Sequence, residues 1–145
     1  MNVHLSKGPF EVITIGLGPD EKLLESITQA ARDHDIKHGA VVSGVGTLKR
    51  THLHYVNTNG FPPENQYYVI EEPVEVGSIS GLIVNHEPHL HIDVGCRDQE
   101  TYIGHLENES IVLYLAEICI LKFNDMDQKR ENDSRYNLSL LGPKN

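Results

Sequence analysis

The stretch PHLHIDVGCRDQETYIGHL, residues 88–106, decides the predicted fold of this chain. Histidines and apolar residues alternate in PHLHIDV, and a period of two is typical of a β-strand with two different faces. VGCRDQE is rich in turn residues, and TYIGHL alternates again. The stretch therefore predicts an antiparallel hairpin whose two strands carry three histidines.

The segments on either side of this hairpin extend the same pattern. GPDEKLLESITQAARDHDIKHG has apolar residues at helical spacing and predicts one substantial helix, with Asp20 as a candidate N-cap and Gly39 at its end. Most other segments are short, rich in β-branched residues and separated by Gly, Pro or Asn, so they predict strands. The apolar segment SIVLYLAEICILKF is expected to be central and buried on both faces. The predicted fold class is α+β, with a mostly antiparallel sheet and one main helix. The remaining predicted strands are GPFEVITIGLG, AVVSGVGTLK with a bend at a glycine, THLHYVN, QYYVI and PVEVGSISGLIVN.

Length and composition predict one folded unit. The 145 residues suit a single domain over 1–145, with a core from about 10 to 141. Residues 124–135 are expected to be a polar connector before a short last strand in RYNLSLL. No apolar run approaches the ~18 residues needed to span a bilayer. The start of the chain has no apolar signal-peptide region, and Cys96 and Cys119 form no CxxC motif, so we expect a cytoplasmic protein.

The charge balance disfavours direct DNA binding. The chain has 12 basic and 21 acidic residues and a formal net charge of −9. A duplex-binding surface needs clustered Lys and Arg to displace counterions, whereas the longest basic runs here are Lys-Arg pairs at 49–50 and 129–130. A local basic patch remains the alternative.

The three histidines of the hairpin form a candidate metal site. His89 and His91 project from the same face, and a pairing of Val94 near Tyr102 would place His91 opposite His105. Three histidines suit zinc, with another divalent metal as the alternative, and they leave a fourth coordination position open, as catalytic zinc sites do. The alternative is that these histidines are ordinary polar residues on a solvated face.

A second HxH motif and two carboxylates complete the candidates. His52 and His54 lack an obvious third partner, so we interpret them as mainly structural. Glu75 and Glu117 lie inside apolar strands, and a buried carboxylate is costly unless it is paired. Either is a candidate general acid or base beside a metal. The alternative is an exposed strand face, which fits Glu75 better than Glu117, whose neighbours are apolar throughout.

The order of these motifs resembles the plant-and-prokaryote-conserved (PPC) domain family, in its prokaryotic single-domain form. The resemblance spans about Phe10 to Leu141 and rests mainly on HLHI followed by GHL. The other segments that carry it are GPDEKLLESITQAARDHDI, AVVSGVGTL, VEVGSISGLI, AEICI and RENDSRYNLSLL.

The resemblance implies a compact α+β fold, a homotrimer and a metal held by His89, His91 and His105. The fold is also similar to that of acetolactate decarboxylase and a zinc ester hydrolase, which use three-histidine zinc sites. Two functions follow. The first is a metal-binding protein with a DNA-associated, regulatory or partner-binding role. The second is a zinc-dependent hydrolase or lyase that binds a small molecule at the metal.

Overall fold

The structure, a computed structural model of the chain, describes residues 1–97 and 100–142. The predicted fold class is confirmed, because the described residues form a mostly antiparallel sheet with one helix. No helix of these two ranges is long and apolar enough to cross a bilayer. The elements are β1 (Phe10–Leu17), α1 (Leu23–Asp33), β2 (His38–Val56), β3 (Asn65–Ile70), β4 (Val74–Val84), β5 (Glu87–Gly95), β6 (Thr101–Leu106), β7 (Ile111–Phe123), β8 (Arg130–Asp133) and β9 (Leu138–Leu141).

The sheet closes on itself through its longest strand. Its order is β1-β7-β2-β4-β5-β6, and β2 also pairs with β3 and β6. The sequence predicted two strands where the structure has the single 19-residue β2. Register shifts between Val41 and Ser43, and again on either side of Leu48, bend β2 against β7. The bent strand therefore pairs with β4 and β7 through its first half and with β3 and β6 through its second half.

The helix covers one face of the sheet and completes the core. Leu23, Ile27 and Ala31 recur along one side of α1 and are fully buried. They belong to the same apolar cluster as Leu90 and Ile92 of β5. Because successive side chains of a strand point to opposite faces, burial of these two residues directs His89 and His91 to the other face of the sheet.

Strand β7 is central but is not buried on both faces, so that expectation was wrong. It lies between β1 and β2, with Ala116 and Ile118 in the core. Leu115 is 48% exposed on the opposite face, where Val12 of β1 and Val45 of β2 are 68% and 45% exposed. We call these three residues the outer apolar face. The described part of the chain provides no second layer over them.

A small second sheet lies next to the histidine-bearing face. Strands β8 and β9 pair as an antiparallel hairpin, in which Arg130 lies opposite Leu141. The predicted connector 124–135 contains β8, whereas β9 falls in the predicted last strand. The Arg130 guanidinium donates hydrogen bonds to the carbonyl oxygens of Glu87 and Leu82, which ties the hairpin to β4 and β5.

Candidate metal centre

The hairpin of β5 and β6 has the register predicted from the sequence. Val94 lies opposite Tyr102, and His91 lies opposite His105. His89 precedes His91 by two residues on the same face of β5. The three imidazoles therefore lie together on the face of the sheet that points away from α1.

The spacing of the three rings suits a common metal ion. The ring centroids of His89 and His105 are 4.9 Å apart, those of His89 and His91 5.8 Å, and those of His91 and His105 6.0 Å. Three imidazoles bound to one tetrahedral zinc, with Zn–N bonds of about 2.0–2.1 Å, have centroids about 5 Å apart. The ring nitrogens of His89, His91 and His105 do not all lie within 4.8 Å of one another, so a shared ion requires these side chains to rotate toward a common point. The three residue types suit a three-histidine zinc site after such a rotation.

Partial desolvation lowers the pKa of two of these histidines. It lowers the pKa of His89, and the positive charges of His105 and Arg130 lower it further. Burial also lowers the pKa of His105, and the charge of His54 lowers it further, whereas Glu107 raises it. A histidine must be deprotonated to bind a metal, so both shifts favour metal binding at neutral pH.

The closure of the sheet brings a fourth histidine to the cluster. His54 of β2 lies directly opposite His105 of β6, and their rings stack with centroids 4.6 Å apart. Glu107 follows β6, and its Oε1 atom is 2.6 Å from Nδ1 of His54 and 3.2 Å from Nδ1 of His105. Potential ligand atoms of His54, His105 and Glu107 lie within 4.8 Å of one another, so these residues form a second possible ligand set that shares His105.

The distances favour an orienting role for Glu107 over a ligand role. Two ligand atoms on one tetrahedral zinc are about 3.3 Å apart, whereas 2.6 Å between His54 Nδ1 and Glu107 is a hydrogen-bond distance. Histidines that bind metals usually donate their other ring N–H to a carboxylate or carbonyl oxygen. Glu107 can accept a hydrogen bond from Nδ1–H of His54. Its Oε1 atom also faces Nδ1 of His105, which leaves Nε2 of His105 available for a metal.

The profile of the Plants and Prokaryotes Conserved (PCC) domain matches residues 4–124. The chain belongs to this family. It is the family that the HLHI and GHL motifs resembled, and the match includes β1 to β7 with all the histidines of the cluster.

The PCC domain has similar folds among solved structures. A metal-containing protein from Archaeoglobus fulgidus is 22% identical with a TM-score of 0.83, over 98% of this chain and 99% of that one. A PPC protein from Pyrococcus horikoshii is 22% identical with a TM-score of 0.77, over 95% of this chain and 97% of that one.

The sequence is also similar to part of a much longer protein. The bifunctional protein GlmU of Synechococcus sp. (strain JA-3-3Ab) is 27% identical over 116 residues, which are 80% of this chain and 18% of that protein. This chain thus spans less than a fifth of that curated relative.

Two hollows in the surface of this PCC domain meet at His89 and His91. The first, of about 560 Å³, also borders His54 and His105. The second, of about 500 Å³, extends from His89 and His91 to Arg130. Both fall in the range of small-molecule sites, which is about 300–1,000 Å³.

The two carboxylates predicted as acid–base groups lie elsewhere in the PCC domain. Glu75 is exposed and pairs with Gly95, about 13 Å along β5 from His91 at 3.3 Å per residue. Glu117 is exposed on the outer side of β7, where it pairs with Val45. The single chain therefore gives neither carboxylate a place in proton transfer beside the histidines.

Sequence reasoning missed the proximity of His54 and Glu107 to His105. The signal was present in the second HxH motif, but the pairing of β2 with β6 was not predicted. His52, from the same motif, fits its structural interpretation, since its Nδ1 is 2.9 Å from the carbonyl oxygen of Asn108.

Proposed function

We propose that this PCC-domain protein binds one zinc ion through His89, His91 and His105. The observation that supports the proposal is the mutual contact of all three rings on one face of a hairpin. Imidazole nitrogens suit zinc among the abundant divalent metals, and three protein ligands leave one coordination position open. The similar protein from Archaeoglobus fulgidus is described as metal-containing, which agrees with the proposal.

The residues around the proposed site would set its properties. A bound zinc would act as a Lewis acid and lower the pKa of a coordinated water. Glu107 would hold the imidazole of His54 against His105 and limit rotation of the His105 ring. The two hollows beside His89 and His91 would admit a small molecule to the open position.

For the function of the bound metal we propose a binding or regulatory role in the cytoplasm. The site would take a small-molecule ligand, and any association with DNA would be through a partner, because the chain has a net charge of −9. A second candidate is a zinc-dependent hydrolase or lyase, and the open hollows on both sides of His89 and His91 favour it. Proton transfer in that case would fall to a group other than Glu75 or Glu117 within the same chain.

We also propose that the chain self-associates, as a homotrimer, through the outer apolar face. Val12, Val45 and Leu115 are each 45% or more exposed on three adjacent strands, and exposed Glu117 lies beside Val45 on the same side. Burial against another copy would stabilise the assembly by about 25 cal/mol for each Å² of apolar surface removed from water.

Zinc content, measured by elemental analysis after dialysis against zinc and then buffer, tests the metal site. We expect one zinc per wild-type chain and a loss of zinc in His91→Ala. His52→Ala is the matched control, because His52 is a strand histidine outside the ring cluster, and it should retain zinc. If His54→Ala loses zinc while His91→Ala retains it, the ligand set is His54, His105 and Glu107, and the proposed set is wrong.

A further inference from the structure

We propose that Arg130 binds the carboxylate group of a small monocarboxylic acid in the hollow next to His89 and His91. This inference deepens the proposed function, since it gives the chemical class of the ligand at the zinc site.

The guanidinium of Arg130 has a positive charge that only neutral acceptors contact. It donates to the carbonyl oxygens of Glu87 and Leu82, at 3.2 and 3.4 Å. Among residues 1–97 and 100–142, no carboxylate oxygen lies within 4.0 Å of it, although the Glu87 side chain contributes a more distant negative charge. Burial lowers the pKa of Arg130, as expected for a cation removed from water.

A guanidinium has five N–H donors, so two bonds to carbonyl oxygens leave others available. A partly buried cation without a counter-ion is unfavourable, and an anion would compensate it. Arginine binds planar carboxylates through two parallel hydrogen bonds, which gives such a site geometric selectivity.

The lining of the hollow suits a small monocarboxylate that has a short apolar chain. Its walls include Leu82 of β4 and Leu140 and Leu141 of β9, and its volume is about 500 Å³. These leucines would contact a short apolar chain, and Ser80 and Ser139 add hydroxyl groups to the same lining. A single arginine matches a single negative charge, and the net charge of −9 disfavours a dianion.

The same hollow borders His89 and His91. A carboxylate held by Arg130 would therefore place the rest of the molecule next to the proposed metal. Arg130 would position the ligand, and the open coordination position would contact it.

Calorimetric titration of the zinc-loaded protein with butyrate, butyramide and inorganic phosphate tests the inference. We expect butyrate to bind, and butyramide, its neutral isostere, and phosphate to bind at least about tenfold more weakly. Arg130→Gln should weaken butyrate binding about tenfold or more and retain zinc. Arg135→Gln is the matched control, because Arg135 lies in the same hairpin but is exposed and paired with Asp133; it should bind butyrate within about twofold of wild type.

Two further measurements separate the possible failures. The zinc content of each variant shows whether its metal site is intact. If the zinc-loaded wild type does not bind butyrate, the carboxylate site is overturned and the zinc proposal still stands. Equal butyrate affinity of Arg130→Gln and wild type also overturns it, as does preferential binding of phosphate. Because Arg130→Gln removes bonds that hold the hairpin, the Nε–Hε resonance of Arg130 in the wild type is a second readout. It should shift on addition of butyrate, and an unchanged resonance contradicts the inference.

Discussion

Replacement of Gly81 by alanine should damage both the sheet and the metal site. Gly81 of β4 pairs with Leu90 of β5, the residue between His89 and His91. Its φ angle is +151°, a conformation that side chains rarely adopt. A Cβ atom at this position would lie 2.0 Å from the carbonyl oxygen of His89 and 3.0 Å from Cα of Leu90.

The expected magnitude follows from these contacts. Strain at an unfavourable φ angle costs about 1–3 kcal/mol, and overpacking costs a similar amount, so the free energy of unfolding should fall by about 3 kcal/mol. Relief of the contact requires β5 to move away from β4 by about 1 Å, which exceeds the ~0.5 Å tolerance of a preorganised ligand set. Zinc affinity should therefore fall at least about tenfold.

Urea denaturation, monitored by circular dichroism at equal protein concentration, measures the free energy of unfolding of each variant. Gly77→Ala is the matched control, because Gly77 also lies in β4 and its added Cβ would be 3.7 Å from the carbonyl oxygen of Asp93, an ordinary contact. It should change the free energy of unfolding by less than about 0.5 kcal/mol. Equal stability and equal zinc affinity of the two variants would show that the close approach of Gly81 to His89 constrains neither the sheet nor the site.

Three further predictions concern other parts of the molecule. Glu107→Gln should lower zinc affinity about 10–100-fold in a competition titration with a chelator, because it weakens the orientation of His54 and His105; an unchanged affinity would contradict that role. His38 is 1% exposed, and neither of its ring nitrogens has a hydrogen-bond partner. Burial is the main cause that lowers the pKa of His38, and the positive charge of Lys37 is the next. The charges of His86 and His4 lower this pKa further, whereas Asp127 raises it. The unfolded chain therefore binds a proton near pH 6.5 that the folded chain does not. The free energy of unfolding of the zinc-free protein should be level above that pH and fall below it, and urea titrations should show a shallower fall for His38→Leu. Leu115→Glu, in the outer apolar face, should lower the molecular mass measured by light scattering, whereas a monomeric wild type would contradict the proposed self-association.

The local features of the histidine hairpin could be predicted from the sequence, and the long-range ones could not. The alternation around His89 and His91 and the turn residues after Val94 predict a hairpin over a short stretch. A pairing of Val94 near Tyr102 then places His91 opposite His105, and the structure has both pairs. The proximity of His54 depends on the curvature of β2, which results from register shifts that no local pattern indicates.

Arg130 shows a different limit of sequence reasoning. Its strand is part of a polar segment that was predicted as a connector, because an exposed strand of four residues has no apolar periodicity. The exposed face of β7 shows a third limit, since a continuous apolar segment has the same pattern whether its second face is covered by the same chain or by a partner.

Diffraction from zinc-soaked crystals, recorded above and below the zinc absorption edge, locates any bound zinc. We expect one strong anomalous peak bounded by the imidazoles of His89, His91 and His105, and its loss below the edge. A peak bounded instead by His54, His105 and Glu107, or no peak near the histidine cluster, would contradict it.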